Sequence, residues 1–331
     1  MATYKGINGF AVQSVATDPS PLDEGQVWYN NATYAFKLAG FNVAAWASGG
    51  NYGASFYGVA GAGTQTAGLG FGGYTPFSTS AFTYNGTSWS PSPSLNTSRY
   101  FHAGFGTQTA AVTAGGSNNF PTAGSTITAT EKYNGTSWTS NPTGLNTSRF
   151  RLTGFGTSTA GIAAQGYDGT NYSAVTESWN GSSWTNVNSM NTARTDAGSS
   201  GIQTAGLAFG GITSPGGPNI TAATESWNGT SWTTVNSLNT ARREVAGCGT
   251  QSLSLAFGGT LVPGARTGAT ELWNGSTWTS SPASLATARR GLGGVGSQTA
   301  ALGFAGYSTG YSNSTEEFTG ATVATKTITT S

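Results

Sequence analysis

The chain has 331 residues, of which only 8% are charged, and its formal net charge is +1. So few cationic residues argue against a nucleic-acid-binding surface, which must neutralise many phosphates. No apolar stretch is long enough to span a bilayer, so we expect no membrane insertion. The single cysteine, Cys248, excludes an internal disulfide framework and a multi-cysteine zinc site.

Residues 1–40 lie outside the repeats that fill the rest of the chain. Asp18-Pro19-Ser20-Pro21 predicts a stiff, non-helical connector, and Gln26 to Tyr29 predict a short strand. The segments 12–19 and 24–30 resemble the leader of virion structural proteins of marine tailed phages. This resemblance implies an arm, residues 1–40, that contacts other virion proteins through Phe10, Val12, Trp28 and Tyr29. The alternative is a plain strand packed on its own domain.

An aromatic hairpin recurs from residue 84 onward. Tyr-Asn-Gly-Thr-Ser-Trp at 84–89 returns four times in close variants, and the copies end at Trp89, Trp138, Trp184, Trp232 and Trp278. Asn-Gly between strand-forming residues is a strong hairpin signal, because a type I′ turn needs positive φ at both central positions. The wide tryptophan rings suit outer strands, where radially arranged sheets splay apart.

Two further blocks repeat between these hairpins. The first is rich in small residues, as in GTQTAGLGFGG at 63–73, and its six copies begin at Gly63, Gly106, Gly156, Gly201, Gly249 and Gly296. Small residues suit strands near a central axis, where large side chains do not fit. The second has the form LNTSR, and its copies end at Arg99, Arg149, Arg194, Arg242 and Arg289.

Together these blocks resemble the kelch motif, which has a Gly-Gly doublet, an aromatic, a tryptophan and a later arginine. The resemblance implies an all-β fold: a six-bladed kelch-like β-propeller of four-stranded antiparallel blades over residues 41–331, with an N-terminal extension. It says little about function, because propellers have many activities.

The repeats predict five internal ion pairs. Each arginine lies seven residues before the glycine that begins the next small-residue block, and a glutamate lies two residues before the first hairpin aromatic. In the first repeat both positions are phenylalanine, Phe56 and Phe82. We therefore expect an apolar Phe56–Phe82 contact and five Arg–Glu contacts: Arg99–Glu131, Arg149–Glu177, Arg194–Glu225, Arg242–Glu271 and Arg289–Glu316.

The ends of the repeat array are offset from each other. Trp46 occupies the last-strand position of a repeat that lacks its earlier strands, whereas the repeat around Phe318 has no following tryptophan. We predict that the strand within 41–49 completes the last blade and so protects an open edge. The alternative is that residues 321–330 supply this strand and the N-terminal strand adds outside it.

The sequence indicates no catalytic or metal site and no cofactor. His102 is the only histidine, and both it and Cys248 occupy positions that are apolar in most other repeats, so we expect a buried or rim histidine and a packed core thiol. A sialidase-like glycan hydrolase is a remote alternative. Sialidase propellers carry similar hairpins, but they need clustered arginines, whereas here one arginine recurs per repeat.

The loops between the second and third strands differ most between repeats, and variable loops on a rigid scaffold commonly carry recognition. Their tyrosines and asparagines suit stacking on sugar rings or a polar protein interface. The candidate binding residues are Tyr74, Phe77, Asn119, Phe120, Tyr167, Tyr172, Tyr307 and Tyr311. Each of these loops could equally be a solvated connector.

These features favour a structural or binding protein rather than an enzyme. The leading hypothesis is a phage virion protein on the tail or capsid surface, for adhesion to a host-surface glycan or protein, or for decoration. Self-association into a homo-oligomer is left open. The alternative is a cellular kelch-type module that binds a carbohydrate or a protein.

Overall fold

A computed structural model describes residues 12–119, 125–214 and 219–328. The described residues form 28 strands, numbered β1 to β28 in chain order, and no helix, so they contain no helix that could cross a membrane. They fall into two compact units. One comprises residues up to Ala45 together with those from Gly320 onward, and the other runs from Trp46 to Thr319.

The larger unit is built from six four-stranded sheets, here called ring sheets 1 to 6. Strand order in each is first, second, third, fourth, with antiparallel pairing along the hairpins. The first strands, in order of ring sheet, are β5 (Ala60–Gly63), β9 (Ala103–Gly106), β13 (Thr153–Thr157), β17 (Gly198–Ile202), β21 (Ala246–Gly249) and β25 (Gly293–Gly296). The second strands are β6 (Gly68–Phe71), β10 (Ala111–Ala114), β14 (Ala160–Ala164), β18 (Ala205–Phe209), β22 (Ser254–Phe257) and β26 (Ala300–Phe304).

The two outer strands of each ring sheet carry the aromatic hairpin. The third strands are β7 (Ala81–Tyr84), β11 (Thr130–Tyr133), β15 (Thr176–Trp179), β19 (Thr224–Trp227), β23 (Ala269–Trp273) and β27 (Thr315–Thr319). The fourth strands are β8 (Trp89–Ser92), β12 (Trp138–Ser140), β16 (Trp184–Val187), β20 (Trp232–Val235), β24 (Trp278–Ser284) and, for ring sheet 6, β4 (Ala45–Ser48).

The first strands contact one another in a closed cycle, since β25 of ring sheet 6 also contacts β5 of ring sheet 1. Glycine and alanine dominate these strands because six of them converge on one axis. The last ring sheet is completed by β4, the strand that the sequence predicted for this place. β4 lies beside β27, and the Trp46 ring is 5.2 Å from that of Phe318. The alternative, in which the C-terminal segment completes the last ring sheet, is wrong because its described strand, Thr322–Thr327, pairs with Lys37 to Asn42 in another sheet.

The seventh sheet belongs to the smaller unit and joins the two ends of the chain. Its strands are β1 (Gln13–Val15), β2 (Val27–Asn30), β3 (Ala35–Asn42) and β28 (Thr322–Thr327). β1 and β2 are parallel, whereas the other pairs are antiparallel. The prediction of six antiparallel sheets is therefore wrong on two counts: there are seven four-stranded sheets, and this one is mixed.

The same sheet revises the predicted N-terminal extension. Residues 13–42 share a sheet with the C-terminal segment, because β3 pairs with β28 from Lys37 to Asn42. Trp28 is fully buried, and its indole Nε1 donates to Asp18 Oδ1 at 3.0 Å, so this side chain is not available to a partner. The Tyr29 ring packs 5.1 Å from that of Phe36, and Val12 is half-buried. Phe10 lies outside the described residues.

Candidate functional site

The five Arg–Glu pairs are ion pairs in the structure, and all ten side chains are buried. The Nη2–Oε1 distances are 2.7 Å for Arg99–Glu131, 2.8 Å for Arg149–Glu177, 2.7 Å for Arg194–Glu225, 2.5 Å for Arg242–Glu271 and 2.8 Å for Arg289–Glu316. Each carboxylate also accepts a backbone N–H from the LNTSR-type segment, as Glu131 does from Asn96 at 2.7 Å. Such satisfaction of both partners offsets much of the cost of burying charge.

These pairs fix the bases of the variable loops. Arg99 Nη1 donates to the carbonyls of Gly115 and Ala129, which stand at the two ends of the loop between the second and third strands of ring sheet 2. Arg149, Arg242 and Arg289 bind the two corresponding carbonyls in their own sheets. These four arginines thus each hold one loop at both ends, and Arg194 Nη1 donates to one such carbonyl, that of Ala223.

Ring sheet 1 replaces the ion pair with aromatic packing. The sequence predicted a direct Phe56–Phe82 contact, but the structure brings a third ring to this place. The Tyr52 ring lies 6.3 Å from that of Phe56 and 4.9 Å from that of Phe82. Tyr52 comes from the segment before the first repeat, and its side chain is buried beside both phenylalanines.

Beyond each anchor, three residues are held side by side by isolated β-bridges, and we call each such trio a platform. The first residue follows the buried arginine, or Phe56 in ring sheet 1. The six platforms are Tyr57–Tyr74–Phe77, Tyr100–Ser117–Thr126, Phe150–Tyr167–Tyr172, Thr195–Ile212–Ile220, Arg243–Thr260–Arg266 and Arg290–Tyr307–Tyr311. The backbone geometry is regular, while the side chains differ from one sheet to the next.

The residue after each platform's first member lies at the axis. These six axial residues are Gly58, Phe101, Arg151, Asp196, Glu244 and Gly291, and all have positive φ, between 47° and 67°. Each backbone N–H donates to the axial carbonyl of the neighbouring sheet, at 2.7 to 3.2 Å, so the six bonds close a ring. The end of the unit that carries the platforms and the axial residues is here called the mouth face.

Four axial residues are not glycine, although the left-handed conformation costs such residues on the order of 1 kcal/mol each. Three of them, Arg151, Asp196 and Glu244, form a charged cluster with two platform residues, Arg290 and Tyr57. Arg151 Nη1 lies 2.7 Å from Asp196 Oδ2 and 3.4 Å from Glu244 Oε1, and Arg290 Nη1 lies 2.9 Å from the same Glu244 oxygen. The Tyr57 hydroxyl donates to Glu244 Oε2 at 2.7 Å.

Burial acts against the charges of the cluster, and it raises the pKa of Asp196, an effect that Arg151 counteracts. Burial disfavours a charged guanidinium, but Asp196 and Glu244 outweigh this effect and raise the pKa of Arg151 above its usual value. Burial, reinforced by Glu244, also raises the pKa of the Tyr57 hydroxyl. Tyr57 is therefore a neutral hydrogen-bond donor at ordinary pH.

Aromatic rings surround the cluster on one side. Eight of them follow one another with centroids 5.0 to 6.1 Å apart, across ring sheets 6, 1, 2 and 3. This aromatic belt consists of Tyr307, Tyr311, Tyr74, Phe77, Tyr100, Phe150, Tyr167 and Tyr172. Tyr311 is 44% exposed, so the belt offers ring surface to a ligand.

The axial channel below the mouth is narrow. Three cavities of about 110, 120 and 110 Å³ succeed one another along it, and their linings share residues. The first is lined by the axial residues and by His102, and the last mainly by glycines, together with Phe105 and Phe155. Such volumes admit water or a small ion, so a larger ligand would rest on the mouth face rather than enter the channel.

The structure collects most of the predicted loop residues on the mouth face. Tyr74, Phe77, Tyr167, Tyr172, Tyr307 and Tyr311 are platform members, Asn119 is exposed in the loop of ring sheet 2, and Phe120 lies outside the described residues. Tyr57, Tyr100, Phe150 and the charged cluster also lie on the mouth face and were not predicted from the sequence. A signal existed, because the two positions after each LNTSR-type arginine vary while the segments around them repeat.

His102 and Cys248 are both buried, as predicted. Burial raises the pKa of the Cys248 thiol to about 12, so it is not a reactive thiolate at neutral pH. Across residues 12–119, 125–214 and 219–328, no group of three or more His, Cys, Asp or Glu side chains is arranged to hold a metal ion.

The closed ring of radially arranged four-stranded sheets defines the larger unit as a β-propeller. Neither a protein-family profile nor a curated protein matches the chain. Among solved structures, the one titled "Structure of YjhT" is similar, with a TM-score of 0.69 and 12% identity over 83% of this chain and 99% of that one. At this identity the likeness concerns the fold alone.

Proposed function

We propose that the chain is a binding protein whose propeller recognises a glycan on the mouth face. The observation that carries this proposal is the concentration of chemical variety at one end of a repetitive ring. Eighteen platform positions share one backbone arrangement, yet they carry tyrosine, arginine, isoleucine, threonine, serine and phenylalanine. Variable side chains on a rigid scaffold are typical of recognition surfaces.

The composition of the mouth face favours a sugar ligand. Tyrosine offers an apolar ring and a polar hydroxyl, which suits a ligand with both C–H surfaces and hydroxyl groups. The belt is continuous, so it could contact several sugar units in a row. Its rings pack on one another, so little side-chain entropy is lost on binding.

A glycan array probed with the full chain tests this proposal. Tyr311→Ala removes the most exposed ring of the belt and should weaken binding about tenfold. Ile202→Ala is the matched control, because Ile202 is also exposed (53%) but ends β17 at the opposite end of the ring. Equal loss in both variants, or no glycan binding by the wild type, would count against this function.

The finer proposal is that the propeller is displayed on the tail or capsid of a phage particle and serves adhesion or decoration. It rests on the resemblance of residues 12–19 and 24–30 to phage virion leaders, with the smaller unit as the region that contacts other virion proteins. Purified particles should contain the chain in fixed stoichiometry. If the protein is absent from purified particles, the alternative hypothesis of a cellular glycan-binding module is favoured.

A glycan hydrolase remains the second candidate because of one contact. Tyr57 donates to Glu244 beside Arg151 and Arg290, and a tyrosine, a glutamate and arginines are the groups that a sialidase-like enzyme needs. The raised pKa of Tyr57 and the ion pairing of both arginines weigh against this role. Release of a fluorogenic leaving group from a sialoside, lost in Tyr57→Phe, would establish it.

A further inference from the structure

The chain's arginines divide into two sets. Of its nine arginines, five are buried in the loop-anchoring pairs. The other four, Arg151, Arg243, Arg266 and Arg290, all occupy axial or platform positions on the mouth face. In a chain with so few charges, this placement concentrates every remaining guanidinium at the proposed glycan site.

The accessible part of the charged cluster is cationic. The side chains of Arg151 and Arg290 are 23% and 24% exposed, whereas those of Asp196 and Glu244 are each 1% exposed. The carboxylates thus lie beneath the guanidinium groups. A ligand that approaches along the axis meets arginine first, although the formal charges of these four groups cancel.

Both of these partly exposed arginines keep donors free for a ligand. Each uses its Nη1 atom toward the carboxylates below. Within the described part of the chain, Nη2 and Nε of either arginine have no hydrogen-bond partner among the contacts observed. Glu244 Oε1 accepts from both Nη1 atoms, at 3.4 and 2.9 Å, and so fixes the two guanidinium groups next to each other.

We propose that the mouth face selects glycans that carry a carboxylate, which Arg151 and Arg290 bind while the aromatic belt supports the sugar rings. This inference rests on the proposed glycan-binding function and names its ligand class. The planar fork of arginine matches a carboxylate in bidentate geometry. Arg266 and Arg290, both stacked on the Tyr307 ring with their guanidinium carbons 4.9 and 5.2 Å from its centroid, join the cationic site to the belt.

The experiment compares acidic glycans with their own neutral forms. Oligogalacturonides and sialylated oligosaccharides are printed beside their carboxyl-reduced partners, with sulfated and neutral glycans on the same array. The strongest pair is then measured by calorimetry with the full chain. We expect the acidic form to bind at least about tenfold more tightly than its reduced partner, because hydrogen bonds to charged groups are the stronger kind.

Two variants locate the effect. Arg290→Gln should remove most of this preference, measured as the ratio of the affinities for the acidic and the reduced form in the same variant, while Glu244 keeps Arg151 and Tyr57 as partners. Lys132→Gln is the charge-matched control, since Lys132 donates to the Gly181 carbonyl away from the mouth face. Arg266→Gln changes an exposed residue and should lower acidic-glycan affinity without affecting folding, which thermal melting verifies.

The outcomes separate the two proposals. Equal affinity for the acidic and reduced forms, with binding still lost in Tyr311→Ala, would overturn the carboxylate site and retain the glycan-binding function. Binding of sulfated glycans but not carboxylated ones would also overturn it. Absence of binding to every glycan would remove the proposed function itself, and this inference with it.

Discussion

The indole N–H of Trp138 is buried without a hydrogen-bond partner, because the preceding sheet, ring sheet 1, has Ala81 where the other ring sheets have a threonine. At the equivalent positions, five tryptophans donate to a threonine hydroxyl of the preceding sheet at 2.9 to 3.1 Å. These pairs are Trp184–Thr130, Trp232–Thr176, Trp278–Thr224, Trp46–Thr270 and Trp89–Thr315. One inter-sheet hydrogen bond of six is therefore missing from an otherwise regular ring.

Ala81→Thr should restore this bond and stabilise the protein. A net hydrogen bond contributes about 1 kcal/mol, and relieving a buried unpaired donor adds to this. Ala81→Val is the control, because it has the same shape without the hydroxyl. We expect Ala81→Thr to exceed Ala81→Val by about 1–2 kcal/mol in the free energy of unfolding from urea titration. Equal stability of the two variants would contradict this account.

A second irregularity lies in ring sheet 3. Five glutamines, one each in the turns of the other ring sheets, donate Nε2 to a backbone carbonyl of the preceding sheet, as Gln203 does to Trp179 at 2.6 Å. The other four are Gln65, Gln108, Gln251 and Gln298. Ring sheet 3 has Ser158 at this position, which is too short to reach the corresponding Tyr133 carbonyl.

Ser158→Gln should therefore add an inter-sheet bond and stabilise the ring by about 0.5–1.5 kcal/mol. Ser158→Glu is nearly the same size but brings an acceptor to a carbonyl, so it should give no gain or a loss. Thermal unfolding of the two variants beside the wild type measures the difference. A stabilised Ser158→Glu would show that side-chain size, rather than the donated bond, is responsible.

The buried ion pairs should be costly to break from one side. In Glu225→Gln, Arg194 keeps its charge in a fully buried position without a carboxylate, and we expect a loss of about 3–5 kcal/mol. Glu24→Gln removes the same charge at an exposed position and should change stability by less than about 0.5 kcal/mol. Urea unfolding of both variants checks this. A loss of less than 1 kcal/mol in Glu225→Gln would argue against the anchoring role.

The repeats explain why so much of the ring was predictable. Constant spacing placed each arginine and glutamate at the same point of its sheet, and Phe56 and Phe82 change together in the one repeat that lacks the pair. Trp46 could be assigned to the last ring sheet for the same reason, since its distance to Phe56 matches that of the other tryptophans to their arginines. Repetition supplies an internal alignment that a single sequence otherwise lacks.

Features without a repeat were not predictable in this way. The seventh sheet combines β3 with β28, almost 300 residues later in the chain, and no internal copy indicates that pairing. Tyr52 precedes the first repeat, so no other repeat has an equivalent residue from which its contacts with Phe56 and Phe82 could be predicted. The charged cluster depends on five residues that come from five different ring sheets, and no single one of them, such as Asp196 or Glu244, is distinctive in the sequence.

The buried His102 should make stability depend on pH. Burial, reinforced by the nearby Arg99 charge, lowers the pKa of His102 from its usual 6.5 to about 3 in the folded protein. Between these values the unfolded chain binds a proton that the folded chain does not. The contribution of His102 to the free energy of unfolding is therefore fully present above pH 6.5. It is lost as the pH falls toward 3, by up to about 1.4 kcal/mol per pH unit.

His102→Val tests this dependence, because the equivalent position is a valine in ring sheet 1 (Val59) and in ring sheet 5 (Val245). Thr113, whose Oγ1 lies 2.6 Å from His102 Nδ1, still has the Ala103 carbonyl as an acceptor. Between pH 6.5 and 4.5, the wild type should lose about 2 kcal/mol more than His102→Val. Carboxylates titrate in both proteins and cancel in this comparison, so parallel curves would mean that His102 is protonated in the folded state.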